Sequence, residues 1–437
     1  MDPQQLPSYA DVVVVGAGPA GLTCALSLAQ NGLSPVIVDA RPAAQIVMRA
    51  TVIHPNTLED LDLLGCADEL VAAGICTDCL TWKSQNEQAI GVIRFSALKS
   101  ITKYPFSLFI PQHVVERVLT KKLAAAGIRV IRSKKVIAMR EAVDNTHVVC
   151  ELQMESGETL RTKYVVGADG AQSTIRTMAG IRYIDPHTGK IAASEGASRG
   201  SLFVLADLTL AEPLPPNVSR DEAVMILTRG GPLALVPLPD AETESQTGRM
   251  FRFATVVMPG DPEPPRNPDA AYFQRIIDKR GPGSHRSDGI KPPQIARVFE
   301  TSRHQAFSAV AEKFFLRAHG GCIVLVGDAG HKHSPAGGQG LNLGVCDAVR
   351  AGRDIAKHFQ SPLTTDVDSI LETYAIRRKE IAAQVIQVAE TIETMQNPAT
   401  WWGIIVRNVV LRLVLLIPAM NRAVAFRMSG LGYREKQ

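Results

Sequence analysis

The residues of this chain best placed to do chemistry are carboxylates set among glycines. Gly16-Ala-Gly18-Pro-Ala20-Gly21 follows an apolar run, Val12 to Val15, and Asp39 closes a second one, Pro35 to Val38. Gly16 permits a tight turn, Gly18 lets backbone approach a pyrophosphate, and Gly21 lets the next helix pack close to the strand. Asp39 stands where a carboxylate accepts a bond from an adenosine ribose hydroxyl. Two further acids recur in the same setting. Val165-Val-Gly167-Ala-Asp169-Gly170 is an apolar strand running into an Asp-Gly turn. Cys322-Ile-Val-Leu-Val326 is another, leading to Gly327-Asp328-Ala-Gly-His331. Asp328 can accept from a sugar or ribitol hydroxyl. A helix expected to open at Gly340 offers free amides and partial positive charge to an anionic ligand. His331 and His333 with Asp328 do not make a persuasive metal set, because the loop is too rich in glycine to orient three ligands; no metal is expected.

The elements that must hold these residues can be read from pattern. The first helix should run to Asn31 and stop at Gly32. Asn56 or Thr57 is expected to cap a helix reaching Gly65, with Leu58, Leu61 and Leu64 inward. Another should run from Gln112 to about Ala126 on a Val115, Leu119, Leu123, Ala126 stripe. Residues 129 to 167 read as short antiparallel strands turned at Asp144-Asn145 and Ser156-Gly157. A nicotinamide dehydrogenase would continue with βαβ repeats here, so this meander favours FAD over NAD as the bound dinucleotide. From 186 to 294 prolines punctuate strands at about 201–210, 223–228, 233–238 and 249–258, an inserted antiparallel sheet that would close over the ligand. In the first of these Leu202, Val204, Ala206, Leu208 and Leu210 share a face, opposite Asp207 and Thr209.

From Asp366 the tail reads as helical, with Ile370, Tyr374, Ile381, Val385, Val388 and Ile392 as its stripe. Trp401 to Ile417 is apolar but broken by Arg407, Asn408 and Arg412. A membrane span needs ~20 apolar residues, and each central arginine costs about 2.5 kcal/mol or more. A packed C-terminal helix is therefore preferred, with a membrane-surface helix as the alternative.

With 437 residues, 46% hydrophobic and 21% charged, the chain has the make-up of a globular enzyme, and a net charge of +4 without charge runs gives nucleic-acid binding no support. Seven scattered cysteines suggest reduced thiols. The lone Cys76-Thr-Asp-Cys79 lacks the second glycine-rich motif a disulfide reductase would need. The first motif leaves no room for a signal peptide, so a cytoplasmic location is expected.

Together, the three motifs, the third continuing through Pro335-Ala-Gly-Gly338-Gln-Gly340-Leu341-Asn342, resemble the single-component FAD-dependent aromatic hydroxylases of the para-hydroxybenzoate hydroxylase type. The resemblance spans about residues 10 to 375, with Arg229-Gly-Gly-Pro and Pro237-Leu-Pro-Asp matching the substrate lobe and Ser429-Gly-Leu-Gly-Tyr433 the end of the shorter members. It implies an α/β fold: a Rossmann-like FAD-binding domain at 10–185 and 295–375, an antiparallel substrate lobe at 186–294 aided by about 80–104, and a helical region at 376–437. It implies that Gly16, Gly18, Ala20 and Gly21 hold the pyrophosphate and that Asp39, with Ala40 and Arg41, holds the adenosine half. Arg49 and Gln112 would contact FAD. Asp169-Gly170 would serve both FAD and passing NAD(P)H. Gly327 and Asp328 would meet the ribitol, and Pro335, Gly338, Gly340, Leu341 and Asn342 the isoalloxazine. The expected activity is NAD(P)H- and O2-dependent hydroxylation or epoxidation of an electron-rich phenolic or indolic molecule through a flavin C4a-hydroperoxide, possibly in secondary metabolism, by a monomer or homodimer. No side chain stands out as the catalytic group. The alternatives are an isoprenoid-type flavin reductase or epoxidase and a non-catalytic FAD-fold protein. Lys332 and Ser334 depart from the family's third motif.

Overall fold

Valine-rich strands with no polar face set the architecture. The computed structural model describes residues 5–44, 52–192, 200–240, 249–286, 288–362, 366–396 and 400–434. Tyr9–Val15 is fully buried from Val12 onward and pairs in parallel with Val36–Val38 on one side and Thr159–Gly167 on the other. Gly321–Leu325 joins next in parallel, so Val36, Val13, Val165 and Ile323 form one row across the sheet. Such a row has no polar side because both faces of the sheet are buried in the core, to which the meander also contributes Met139, Cys150, Leu152 and Met154. The meander is present as two longer strands than expected, Val136–Asp144 and His147–Met154. They reach the sheet by pairing with the first half of Thr159–Gly167, whose second half carries Gly321–Leu325.

The first helix, Pro19–Gln30, ends at Asn31 with Gly32 at φ +85°, as its sequence requires. Two expectations need correction. The next helix is Pro55–Leu63 with His54 as its cap, not Asn56 or Thr57, because proline suits the first helical position. The helix Gln112–Ala125 buries Val115, Leu119 and Leu123, but Ala126 lies past its last turn and is exposed.

A second sheet has the order Ile295–Gln305, Leu202–Leu210, Met250–Val256, Gly231–Leu238, Val224–Thr228, Cys79–Ser84 and Ala89–Arg94. It extends past residue 294 and draws a hairpin from the first hundred residues. Its Val204–Leu210 face is covered by a helix the prolines had hidden, Ala270–Arg280, through Tyr272, Phe273, Ile276 and Ile277. The signal was there: Asp269 caps the helix by accepting from the Tyr272 amide at 2.8 Å, ahead of two apolar pairs four residues apart. The opposite face is covered as well. Phe203, Leu205, Val256 and Ala306 cluster on it, and Asp207 is buried against Arg252.

The tail is helical, with Ser369–Gln396 buried along Tyr374, Ile381, Val385, Val388 and Ile392. Trp401–Leu416 and Pro418–Met428 then pack on Trp82, Ile90, Ile93, Phe95 and Leu98 of the second sheet's edge. The packing expected of Trp401–Leu416 is narrow: only Arg407, Leu411 and Leu415 are buried. Among the described residues no single helix is long and apolar enough to cross a membrane.

Candidate active site

The three glycine-rich motifs, far apart in the chain, touch one another. Gly16 sits at φ +108°, and a Cβ there would lie 2.3 Å from the Ala168 carbonyl oxygen, which locks the first motif onto the second. A Cβ on Gly21 would lie 1.9 Å from the Gly16 oxygen, so the helix packs as closely as the motif predicts. A Cβ on Gly327, at φ +60°, would lie 3.1 Å from Ala20 Cβ and 3.6 Å from the Gly344 Cα, so the third motif packs against the first. Tyr183 donates to the Asp328 carbonyl, and Arg176 donates to the Ala329 carbonyl at 3.2 Å, tying the third motif to the residues after Asp169-Gly170.

Two helix starts open beside this junction. Pro19–Gln30 is capped by Gly18 and Gln339–Gln360 by Gly338, and neither cap supplies a side-chain acceptor. Neither first turn carries an acid. Both therefore present amides to an incoming anion. Open space lies where a Cβ on Gly18, Gly170 or Gly340 would go, with no atom within 4 Å. A diphosphate fits the first helix start, and the electron-rich N1–C2=O edge of a reduced flavin fits the second. The donor set and the open space at these glycines thus suit FAD.

The expected side chains divide into those that reach outward and those already engaged. Asp328 is exposed, its carboxylate available to a ligand hydroxyl. Asp39 is nearly buried; its carboxylate accepts from the Ala17 amide at 2.7 Å and the Arg41 amide at 2.8 Å, with Arg132 at 3.5 Å, so it shapes the glycine loop as well as offering a lone pair. Ala40 and Arg41 are exposed beside it. Asp169 is turned inward, accepting from Ser173, from the Thr174 amide and hydroxyl at 2.7 and 2.8 Å, and from the Ile175 amide at 3.1 Å. It thereby takes up the first amides of the short helix Thr174–Met178, whose N-cap is Ser173, and Gly170, at φ +84°, makes the turn possible. Asn342 is engaged too: its amide donates to the Val52 and Gly338 carbonyls at 3.0 and 2.7 Å and accepts from the His54 amide at 2.8 Å. Its part is to hold Val52–Ile53 against the Gly337–Gly338 bend. Leu341 is partly buried beside it and Pro335 exposed. Arg49 lies outside the described residues.

Gln112 donates to Glu116 at 2.8 Å. Burial raises the Glu116 carboxyl above the usual carboxylate range, although Gln112, Arg41 and Arg132 pull the other way. Sequence reading passed over Glu116 and also His54, which reaches the Gly337 carbonyl at 2.9 Å and is kept neutral by burial. It passed over Asp347 as well, an acid on the buried side of the Gln339–Gln360 helix. Asp347 accepts from the Gly327 amide at 3.1 Å, and lies 2.7 Å from His331 and 2.6 Å from Arg378. An acid on an otherwise apolar helix stripe was the available signal. His331 therefore serves the fold of this turn. Cys322, His358 and Asp368 form the one cation-like cluster among the described residues, yet His358 is hydrogen-bonded to Tyr164 and Asp368, and Asp368 is paired with Arg317.

This geometry is that of a flavoprotein with an adenosine-diphosphate cradle and a second helix start at the ring. The FAD binding domain family model matches residues 9–389, and the chain belongs to that family. It is 27% identical to 6-methylpretetramide 4-monooxygenase of Streptomyces rimosus, covering 98% of this chain and 70% of that one. It is 24% identical to pentachlorophenol 4-monooxygenase of Sphingobium chlorophenolicum, covering 97% and 71%. The fold superposes on p-nitrophenol 4-monooxygenase from Pseudomonas putida DLL-E4 with a TM-score of 0.79 at 23% identity, covering 98% of this chain and all of that one. The protein is an FAD-dependent aromatic monooxygenase with NAD(P)H as reductant, and these relatives give no support to the isoprenoid-type reductase.

If Asp328 meets a ribitol hydroxyl, Asp328→Ala should weaken FAD binding about tenfold or more, the worth of one hydrogen bond to a charged acceptor. Fluorescence titration of the apoprotein with FAD measures this. An unchanged Kd would remove Asp328 from the site.

Proposed function

We propose that this chain hydroxylates a phenolic, polycyclic aromatic molecule of the polyketide type. The observation that carries the reading is the inner face of the second sheet. Phe203, Leu205, Val256 and Ala306 make an apolar wall, and set into the same face is the buried Asp207–Arg252 pair, its two charges mutually satisfied. That face lies near the FAD-binding unit: Asp207, whose carboxyl burial pushes up although Arg252 pulls the other way, is within electrostatic reach of His113, next to Gln112. A wall with little polar demand suits a broad flat ring system with a few oxygens at its rim. Relatives named for tetracyclic substrates, among them 12-dehydrotetracycline 5-monooxygenase/anhydrotetracycline 6-monooxygenase of Streptomyces rimosus, add weight.

Held at the Gly18 and Gly340 helix starts, FAD would supply the redox chemistry of a reaction in which NAD(P)H gives two electrons, one atom of O2 goes to the substrate and the other to water. The protein's residues do the rest. Gly16 to Gly21 and the two helix starts bind and orient the cofactor, and Asp347 holds the Gly327 amide in line. The sheet's apolar wall excludes water from the ring. The cavity of about 570 Å³ beside the second motif, with Gln172, Arg176 and Arg182 on its wall, supports docking of the anionic reductant there.

A screen of simple phenols, indoles, polycyclic phenols and isoprenoid alkenes for stimulation of NAD(P)H oxidation tests the proposal. Polycyclic phenols should stimulate most. Stimulation confined to alkenes or to single-ring phenols would overturn it.

A further inference from the structure

The helix Trp401–Leu416 turns an apolar surface to solvent. Trp401, Trp402, Ile405, Val406, Val409, Val410, Leu413 and Leu416 are all exposed, from about half for Val410 to 77% for Leu416. Ile417 and Met420 continue the band into Pro418–Met428. Isolated exposed apolar residues are ordinary, whereas a contiguous band the length of a helix marks a surface that meets something.

This band is held in place. A Cβ on Gly91 would lie 2.3 Å from Leu415 Cδ1, so the helix packs directly on the edge strand Ala89–Arg94. Asn421 donates to the Val92 carbonyl at 2.6 Å and the Leu415 carbonyl at 2.9 Å, and accepts from the Arg94 amide at 2.9 Å. The following residues return to the active site, where Gln339 donates to the Met428 carbonyl at 3.0 Å and Asn56 to that of Ser429 at 3.1 Å.

Charge says what the band meets. From Trp401 to Arg434 there are five arginines and no aspartate, glutamate or lysine. Arg412, Arg422 and Arg427 are exposed around the apolar band. Paired tryptophans at one end, aliphatic side chains along the outward face and arginines at the margin match the interface between acyl chains and anionic headgroups. A partner protein surface would not demand a margin of a single sign. We propose that the outward face of Trp401–Leu416, with the start of Pro418–Met428, lies in the plane of an anionic phospholipid bilayer and attaches the enzyme to it peripherally. The Ala89–Arg94 edge of the second sheet is thereby set against the lipid surface, where apolar aromatic substrates concentrate.

The test is flotation of the FAD-loaded full chain with vesicles of phosphatidylcholine alone and of phosphatidylcholine mixed with phosphatidylglycerol. Tryptophan emission is recorded on the same samples. The protein should float with the anionic vesicles, and emission should shift to the blue, since of the three tryptophans Trp82 is already buried. The double variant Val406→Glu/Leu413→Glu changes only exposed side chains. It should keep its FAD content and its NAD(P)H oxidation while losing vesicle binding by about tenfold or more. Failure of the native protein to float, or equal flotation of the variant, would overturn the proposal. So would a native dimer by light scattering that the double variant splits to monomers without any vesicle binding, which would mark the band as a contact between copies.

Discussion

Asp347→Asn is expected to cost about 3–5 kcal/mol of stability, the usual effect of stranding a buried charge, here the Arg378 guanidinium. Both side chains are almost wholly buried, out of reach of bulk solvent. Burial by itself would raise the Asp347 carboxyl, but Arg378 and His331 outweigh it and hold it below the usual range. A carboxyl depressed in the folded state contributes stability above its unfolded pKa and loses it as pH falls through the folded one. The native protein should therefore lose stability below about pH 4 in a way the asparagine variant does not. Because Asp347 also accepts from the Gly327 amide, the variant should release FAD more readily even where it stays folded. Urea unfolding of both proteins across pH, with FAD content read beforehand, measures each part. Equal midpoints at pH 7 would show that the Arg378 charge finds another partner.

The second large effect separates two glycines that look alike in sequence. Gly18→Val places its side chain in open space, so the fold should survive, but the cradle is filled and FAD affinity should fall at least about a hundredfold. Gly21→Ala puts a methyl 1.9 Å from the Gly16 carbonyl oxygen and should prevent the first helix from seating at all. The expected results are a soluble, colourless Gly18 variant with native circular dichroism and an insoluble Gly21 variant. A yellow Gly18→Val protein would mean that the diphosphate does not lie at this helix start.

Much of this was legible because it rests on residues with few structural alternatives. Val12 to Val15, Val165 to Gly167 and Cys322 to Val326 are apolar runs that only a doubly covered parallel sheet accommodates, and the glycines among them need left-handed backbone or close contact. Polar side chains were harder to place, because sequence gives their chemistry and not their direction. Asp169 and Asn342 look like ligand contacts, and the structure adds that they hold backbone amides and carbonyls. Asp347, Glu116 and His54 carry no motif: Asp347 meets Gly327, His331 and Arg378 from neighbouring stretches of the chain, Glu116 meets Gln112 one helical turn away, and His54 reaches Gly337 across 283 residues. Alternation put Asp207 on the face opposite the leucines without saying what covers it; a second buried face and Arg252, forty-five residues on, make it internal. The helix Ala270–Arg280 was hidden by the prolines on either side of it. Trp401–Leu416 was read as packed because its length and its arginines argue against a membrane span, and that argument does not say how many sides of a helix find a partner.

The central claim is oxygen transfer to an aromatic ring at a site built from the Gly18 cradle and the Gly340 helix start. Its most direct measurement is turnover of the best substrate from the screen under ¹⁸O₂, with product mass and hydrogen peroxide followed together. The account predicts a product heavier by one ¹⁸O atom, NAD(P)H consumed in step with product, and little peroxide. Oxidation of NAD(P)H that yields only peroxide, or a product whose added oxygen comes from water, would contradict it.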